Sequence, residues 1–128
     1  MQTILIDDDP TGVFLVKRLF QRAGLPDCLT TFLLPAEALA FLQQAPTEAL
    51  PEVILLDLNM PLLSGWDVLE ALKPQQEELK QRCSIYILTS SLAPADVARA
   101  KDNPLVVALL HKPLDYQKIQ DIQARLRQ

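Results

Sequence analysis

Residues 53–61 read Val53-Ile54-Leu55-Leu56-Asp57-Leu58-Asn59-Met60-Pro61: an apolar run, a carboxylate, then a turn closed by proline. A short apolar run bounded in this way fits a strand covered on both faces. A carboxylate where such a strand stops lies where open α/β sheets bind their ligands, beyond the strands' carboxyl ends. Four further apolar runs flank it. Thr3 to Ile6 stops at Asp7-Asp8-Asp9, Ile85 to Leu88 at Thr89-Ser90-Ser91, and Val106 to Leu110 at His111-Lys112-Pro113. The remaining run, Leu29 to Leu33, is interrupted by Thr30 and Thr31 and is followed by Leu34, with nothing polar to offer. It is expected at a sheet edge; the other four are expected to be covered on both faces.

Each run is followed by a helix-like stretch, which makes five βα units around a parallel sheet and an α/β fold. Val13, Val16, Leu19, Phe20 and Ala23 recur at helical spacing, and Gly24 with Pro26 stops them, which predicts a first helix over Thr11 to Ala23. Further helices are predicted from Ala36 to Gln44, from Trp66 to Leu72, from Pro94 to before Pro104, and after a capping Asp115. Pro74 breaks the third of these, and the polar stretch Gln75 to Arg82 either extends it or forms a loop.

The 128 residues are 49% apolar, which suits one core and argues against a two-domain enzyme. No linker or repeat interrupts them, so the expectation is a single domain over 1–128 with no output domain. Sixteen acidic against 12 basic side chains leave a net charge of -4, without the basic excess of a direct nucleic-acid binder. The first apolar run meets Asp7 too soon for a signal peptide or a membrane span, so a cytoplasmic protein with no membrane contact is expected. Cys28 and Cys83 have no metal-ligand spacing and are read as ordinary packed thiols.

If the first and third strands are neighbours, Asp7, Asp8 and Asp57 bring three carboxylates together, and like charges that close need a counter-ion. A hard divalent cation, Mg²⁺ or Mn²⁺, suits oxygen donors beside an open position. With Lys112 added, the carboxylates are balanced by the metal and the amine until a phosphoryl group arrives. A carboxylate nucleophile, a metal, a lysine and a hydroxyl are the parts that stabilise a transferring phosphoryl group.

IDDDP (6–10), LLDLNMP (55–61), LTSS (88–91) and HKP (111–113), in this register on five βα units, resemble the receiver domain of two-component response regulators over essentially the whole chain. GWDVLEAL (65–72) and SSLAPADVARAKDNPLV (90–106) further resemble stand-alone receivers. The resemblance implies a flavodoxin-like doubly wound sheet of strand order 2-1-3-4-5 with five helices. It makes Asp57 the phosphoacceptor and a metal ligand, Asp8 a direct metal ligand, Asp7 a ligand through water and Asn59 a ligand through its backbone carbonyl. Thr89 would bond one phosphoryl oxygen and Lys112 another, and the Lys112-Pro113 bond would be cis. Implied partners are a histidine kinase or phosphotransfer protein and a downstream protein target. The chain would be a monomer, or a weak dimer through the last strand and its two flanking helices. Receivers signal rather than turn over a substrate, beyond catalysing their own phosphoryl transfer and slow dephosphorylation.

The chain departs from that family where many receivers carry Tyr or Phe, three residues before the lysine. Here stands Leu109, which has neither hydroxyl nor ring to report a switch. The expectation is that Leu109 stays packed in both states, and that a phosphorylated form is read through Asn59 to Gly65 and Ser90 to Ala95. Asp9, before Pro10, is read as a helix cap, His111 as pointing away from the pocket, and Trp66 as either a partner contact or helix packing. A haloacid-dehalogenase-type phosphatase needs a second aspartate where Asn59 stands, and a nucleotide site needs a glycine loop that Gly12, Gly24 and Gly65 do not form. A receiver-fold adaptor that works without phosphorylation is the remaining alternative.

Overall fold

A computed structural model describes residues 1–127. Its five strands are β1 (Thr3–Ile6), β2 (Leu29–Phe32), β3 (Val53–Asp57), β4 (Ser84–Thr89) and β5 (Val106–His111), all parallel and ordered β2-β1-β3-β4-β5. Successive side chains leave a strand on opposite faces, and the core divides accordingly. Ile4, Ile6, Ile54, Leu56, Ile85 and Ile87 face one way, while Leu5, Val53, Leu55, Tyr86 and Leu88 face the other.

The helices cover both faces. On the second face lie α1 (Pro10–Arg22), through Val13, Val16 and Phe20, and α6 (Tyr116–Leu126), through Ile119 and Ile122. On the first lie α2 (Pro35–Gln44), α3 (Gly65–Ala71), α4 (Gln76–Arg82) and α5 (Pro94–Asp102). Pro10, Pro35 and Pro94 occupy the first turns of α1, α2 and α5, where an absent N–H costs nothing. α1 and α2 therefore begin one residue before the predicted starts.

Two expectations need correction. The described residues hold six α-helices rather than five, because the stretch after Pro74 is neither an extension nor a loop. A single tight turn, Lys73–Gln75, redirects the chain, and α4 follows with Leu79 as its one buried anchor. The polar composition hid it because one apolar side chain, packed among core neighbours, holds two turns in place. β5 is also covered less fully than expected, although its residues pack against the core on both faces. It is the second edge of the sheet and only half-buried along its apolar run, whereas β1 and β3 are buried throughout. An apolar run identifies a strand without fixing its rank in the sheet.

The central strand β3 is buried throughout. Leu56→Ala, at 1% exposure, is expected to lower unfolding free energy by about 2–5 kcal/mol in urea titration, whereas Leu62→Ala, at 88%, should stay within about 0.5 kcal/mol.

Candidate functional site

The sheet's hydrogen bonding runs on at the strands' carboxyl ends, which makes the emerging side chains rigidly based. Asp7 N donates to Phe32 O (3.1 Å), Leu58 N to Leu88 O (2.9 Å) and Lys112 N to Thr89 O (2.7 Å). The β1–β3 register sets Ile6 beside Leu56, so that Asp7 and Asp57 follow side by side. One oxygen from each of Asp7, Asp8 and Asp57 lies within 4.8 Å of the others. Asp7 and Asp57 are buried, and Asp8 is half-buried.

Lys112 closes this cluster. Its Nζ lies 3.1 Å from Asp7 Oδ2 and 3.1 Å from Asp57 Oδ1. The other Asp7 oxygen, Oδ1, accepts the Asp9 amide at 3.0 Å. Burial, then the charge of Asp7, lifts the Asp57 carboxyl from its ordinary 3.8 to about 6, against the opposing pull of Lys112. Burial alone would lower the Lys112 ammonium, but its bonds and attraction to Asp57 and Asp7 prevail and raise it. The pocket thus holds a cationic lysine and, at neutral pH, an ionised Asp57. Beside it opens a cleft of about 310 Å³, lined in part by Asp7, Gly12, Leu15, Leu88, Lys112 and Leu114.

The donor set is all oxygen, anionic in excess and open on one side through Asp8, which fits Mg²⁺ or Mn²⁺ and does not fit a closed thiolate or imidazole site. The structure therefore brings together Asp7, Asp8, Asp57 and Lys112. Thr89 is wholly buried but turned to its own loop: its hydroxyl donates to Ser91 O (2.8 Å) and accepts from Ser91 N (3.1 Å). Asn59 is exposed in the turn after β3. The Lys112-Pro113 peptide is cis.

The neighbouring residues resolve as follows. Asp9 caps α1, accepting the Thr11 amide at 3.0 Å, and His111 is exposed at the end of β5. Trp66 is packing: it is 8% exposed, its Nε1 donates to Asp96 Oδ1 at 3.2 Å, and the Arg99 guanidinium sits 4.8 Å from its ring centre. Leu109 is half-buried rather than enclosed, and borders a groove with Leu92, Val97 and Ala100. Cys83 is a buried thiol pushed up to about 11, chiefly by burial. Two partnerships escaped sequence reasoning, namely Asp96 with Trp66 and Ser91 with Thr89. The first joins residues on two helices far apart in sequence. The second is a turn whose only advance signal was the pair of hydroxyl residues after β4.

A parallel sheet of order 2-1-3-4-5, with an acidic pocket and a lysine at its carboxyl edge, defines the receiver class of signalling domain. A profile of the response regulator receiver domain matches residues 3–124, and the chain belongs to that family. A probable methanogenesis regulatory protein, FilR2, of Methanothrix harundinacea is 29% identical over 118 residues, covering 91% of this chain and 74% of that protein. A two-component response regulator of Cytophaga hutchinsonii superposes with a TM-score of 0.88 at 25% identity, covering 98% of this chain and 96% of the other. A response regulator receiver protein of Dyadobacter fermentans gives 0.84 at 27% identity, covering 96% and 94%. No described helix is long and apolar enough to cross a membrane.

The raised Asp57 carboxyl has a stability consequence. An unfolded chain releases this proton near 3.8 and the folded chain near 6, so raising the pH through that window destabilises the fold. Asp57→Asn removes the effect. Without divalent cations it is expected to be more stable than the parent by roughly 1–3 kcal/mol at pH 7.5, with the gain shrinking below pH about 6 and gone near pH 3.8. Thermal unfolding across pH measures this, and a gain independent of pH would exclude the titration of Asp57 as its source.

Proposed function

We propose that this receiver accepts a phosphoryl group on Asp57 from the phosphohistidine of a histidine kinase or phosphotransfer protein, and signals by binding a downstream protein in the phosphorylated state. The observation that carries the reading is Lys112 Nζ, 3.1 Å from both Asp7 and Asp57 within a three-carboxylate cluster. A carboxylate oxygen of Asp57 attacks phosphorus, the new O–P bond forms as the P–N bond breaks, and the imidazole nitrogen leaves with the bonding pair. Asp57 is ionised for this step above pH about 6. Lys112 keeps its charge and passes from the Asp57 carboxylate to an oxygen of the incoming group. Asp8 and Asp7 would hold Mg²⁺, directly and through water, together with Asp57 and the Asn59 carbonyl. The cation, when bound, supplies positive charge to the equatorial phosphoryl oxygens.

Thr89 must give up the bond it donates to Ser91 O before its hydroxyl can donate to the phosphoryl group, so phosphorylation is expected to rearrange the loop after β4 first. That loop leads into α5, which Asp96 ties to Trp66 of α3. Leu109 has no ring to carry the change across β5.

A small acyl phosphate with Mg²⁺ is expected to add one phosphoryl group to the parent chain and none to Asp57→Asn, by intact-mass spectrometry. In calorimetry Asp8→Ala should bind Mg²⁺ at least about tenfold more weakly. Full labelling of Asp57→Asn would move the acceptor elsewhere, and no labelling of the parent would favour the phosphorylation-independent adaptor. With beryllofluoride as the phosphoryl mimic, backbone amide shifts should be largest in Asn59 to Gly65 and Ser90 to Ala95. Larger shifts centred on Leu109 and α6 would contradict the route through the loops.

A further inference from the structure

The first turn of α1 closes directly over the acidic pocket at Gly12. A Cβ at this position would stand 2.6 Å from Asp7 Oδ2, well inside van der Waals contact, and 3.4 Å from the Asp7 carboxyl carbon. Asp7 is not free to swing aside. It is 1% exposed, with Oδ1 held by the Asp9 amide at 3.0 Å and Oδ2 by Lys112 at 3.1 Å. Glycine inside a helix is disfavoured relative to alanine and needs a reason. Backbone conformation is not that reason, since Gly24 alone has a positive φ among the described residues. Space is.

We infer that Gly12 is a positioning residue for this pocket: lacking a Cβ, it lets α1 close over Asp7 and fixes Asp7 Oδ2 in the orientation that serves Lys112 and a divalent cation. The cation half of this inference rests on the phosphoacceptor reading, whereas the packing of Asp7 stands on geometry alone. A residue with any side chain at position 12 would push Oδ2 off Lys112 or lift the start of α1 from the sheet. Either movement disturbs the oxygen cluster without touching Asp57.

The test is a thermal-unfolding cycle in EDTA with Gly12→Ala, Asp7→Ala and the pair, joined to Mg²⁺ calorimetry on Gly12→Ala. In the parent background, Gly12→Ala should lower Tm. In the Asp7→Ala background the obstruction is gone, so the same change should raise Tm by about 2–4 °C through helix preference. Mg²⁺ affinity of Gly12→Ala should fall about tenfold or more. A rise in Tm in both backgrounds, or an unchanged Mg²⁺ affinity, would overturn the inference. Should Gly12→Ala alone fail to fold, folding of the pair supports it and failure of the pair overturns it. If the parent chain binds no Mg²⁺, the phosphoacceptor reading falls, and the unfolding cycle still decides the packing of Gly12 on Asp7.

Discussion

Three carboxylates held within 4.8 Å of one another at the edge of a rigid sheet repel, and the rest of the site is arranged around that repulsion. Lys112 relieves it from one side, placing a single ammonium between Asp7 and Asp57. Burial first, and the charge of Asp7 second, still hold the Asp57 carboxyl up at about 6. A pocket in this condition attracts further positive charge and has an open side through Asp8 to receive it. The stability lost at neutral pH is concentrated at this acidic pocket.

The scaffold makes such a cluster tolerable. Asp7, Leu58 and Lys112 are anchored by backbone bonds to Phe32, Leu88 and Thr89, so the charged side chains have little freedom to separate. Behind them the two faces of β1, β3 and β4 are filled by alternating aliphatic side chains. The cost of holding like charges close is thus borne by a core that extends the length of the sheet. α1 adds a further restraint by pressing its glycine against Asp7.

The loop after β4 is built differently. The Thr89 hydroxyl is engaged within its own loop, and this loop runs into α5, pinned to α3 by the Asp96–Trp66 bond. β5, where a receiver with an aromatic switch would change, is a half-buried edge strand bearing Leu109.

What the amino-acid sequence determined by itself was the succession of elements other than α4 and the residues that end each strand. Short apolar runs closed by Asp7, Asp57, Thr89 and Lys112 are local patterns, and periodicity with proline and glycine placement makes them legible. The strand order, the cis peptide and the separate roles of Asp7, Asp8 and Asn59 came from family resemblance, because one chain's runs do not say which strands pair. Tertiary structure alone decided the rest. α4 exists because Leu79 finds core neighbours, and β5 is half-exposed because nothing lies beyond the sheet edge. Thr89 faces Ser91, Trp66 meets Asp96, and Gly12 abuts Asp7 through contacts between side chains and turns that no spacing rule encodes. Each depends on where two elements meet in space, and that is set by the packing of the whole core.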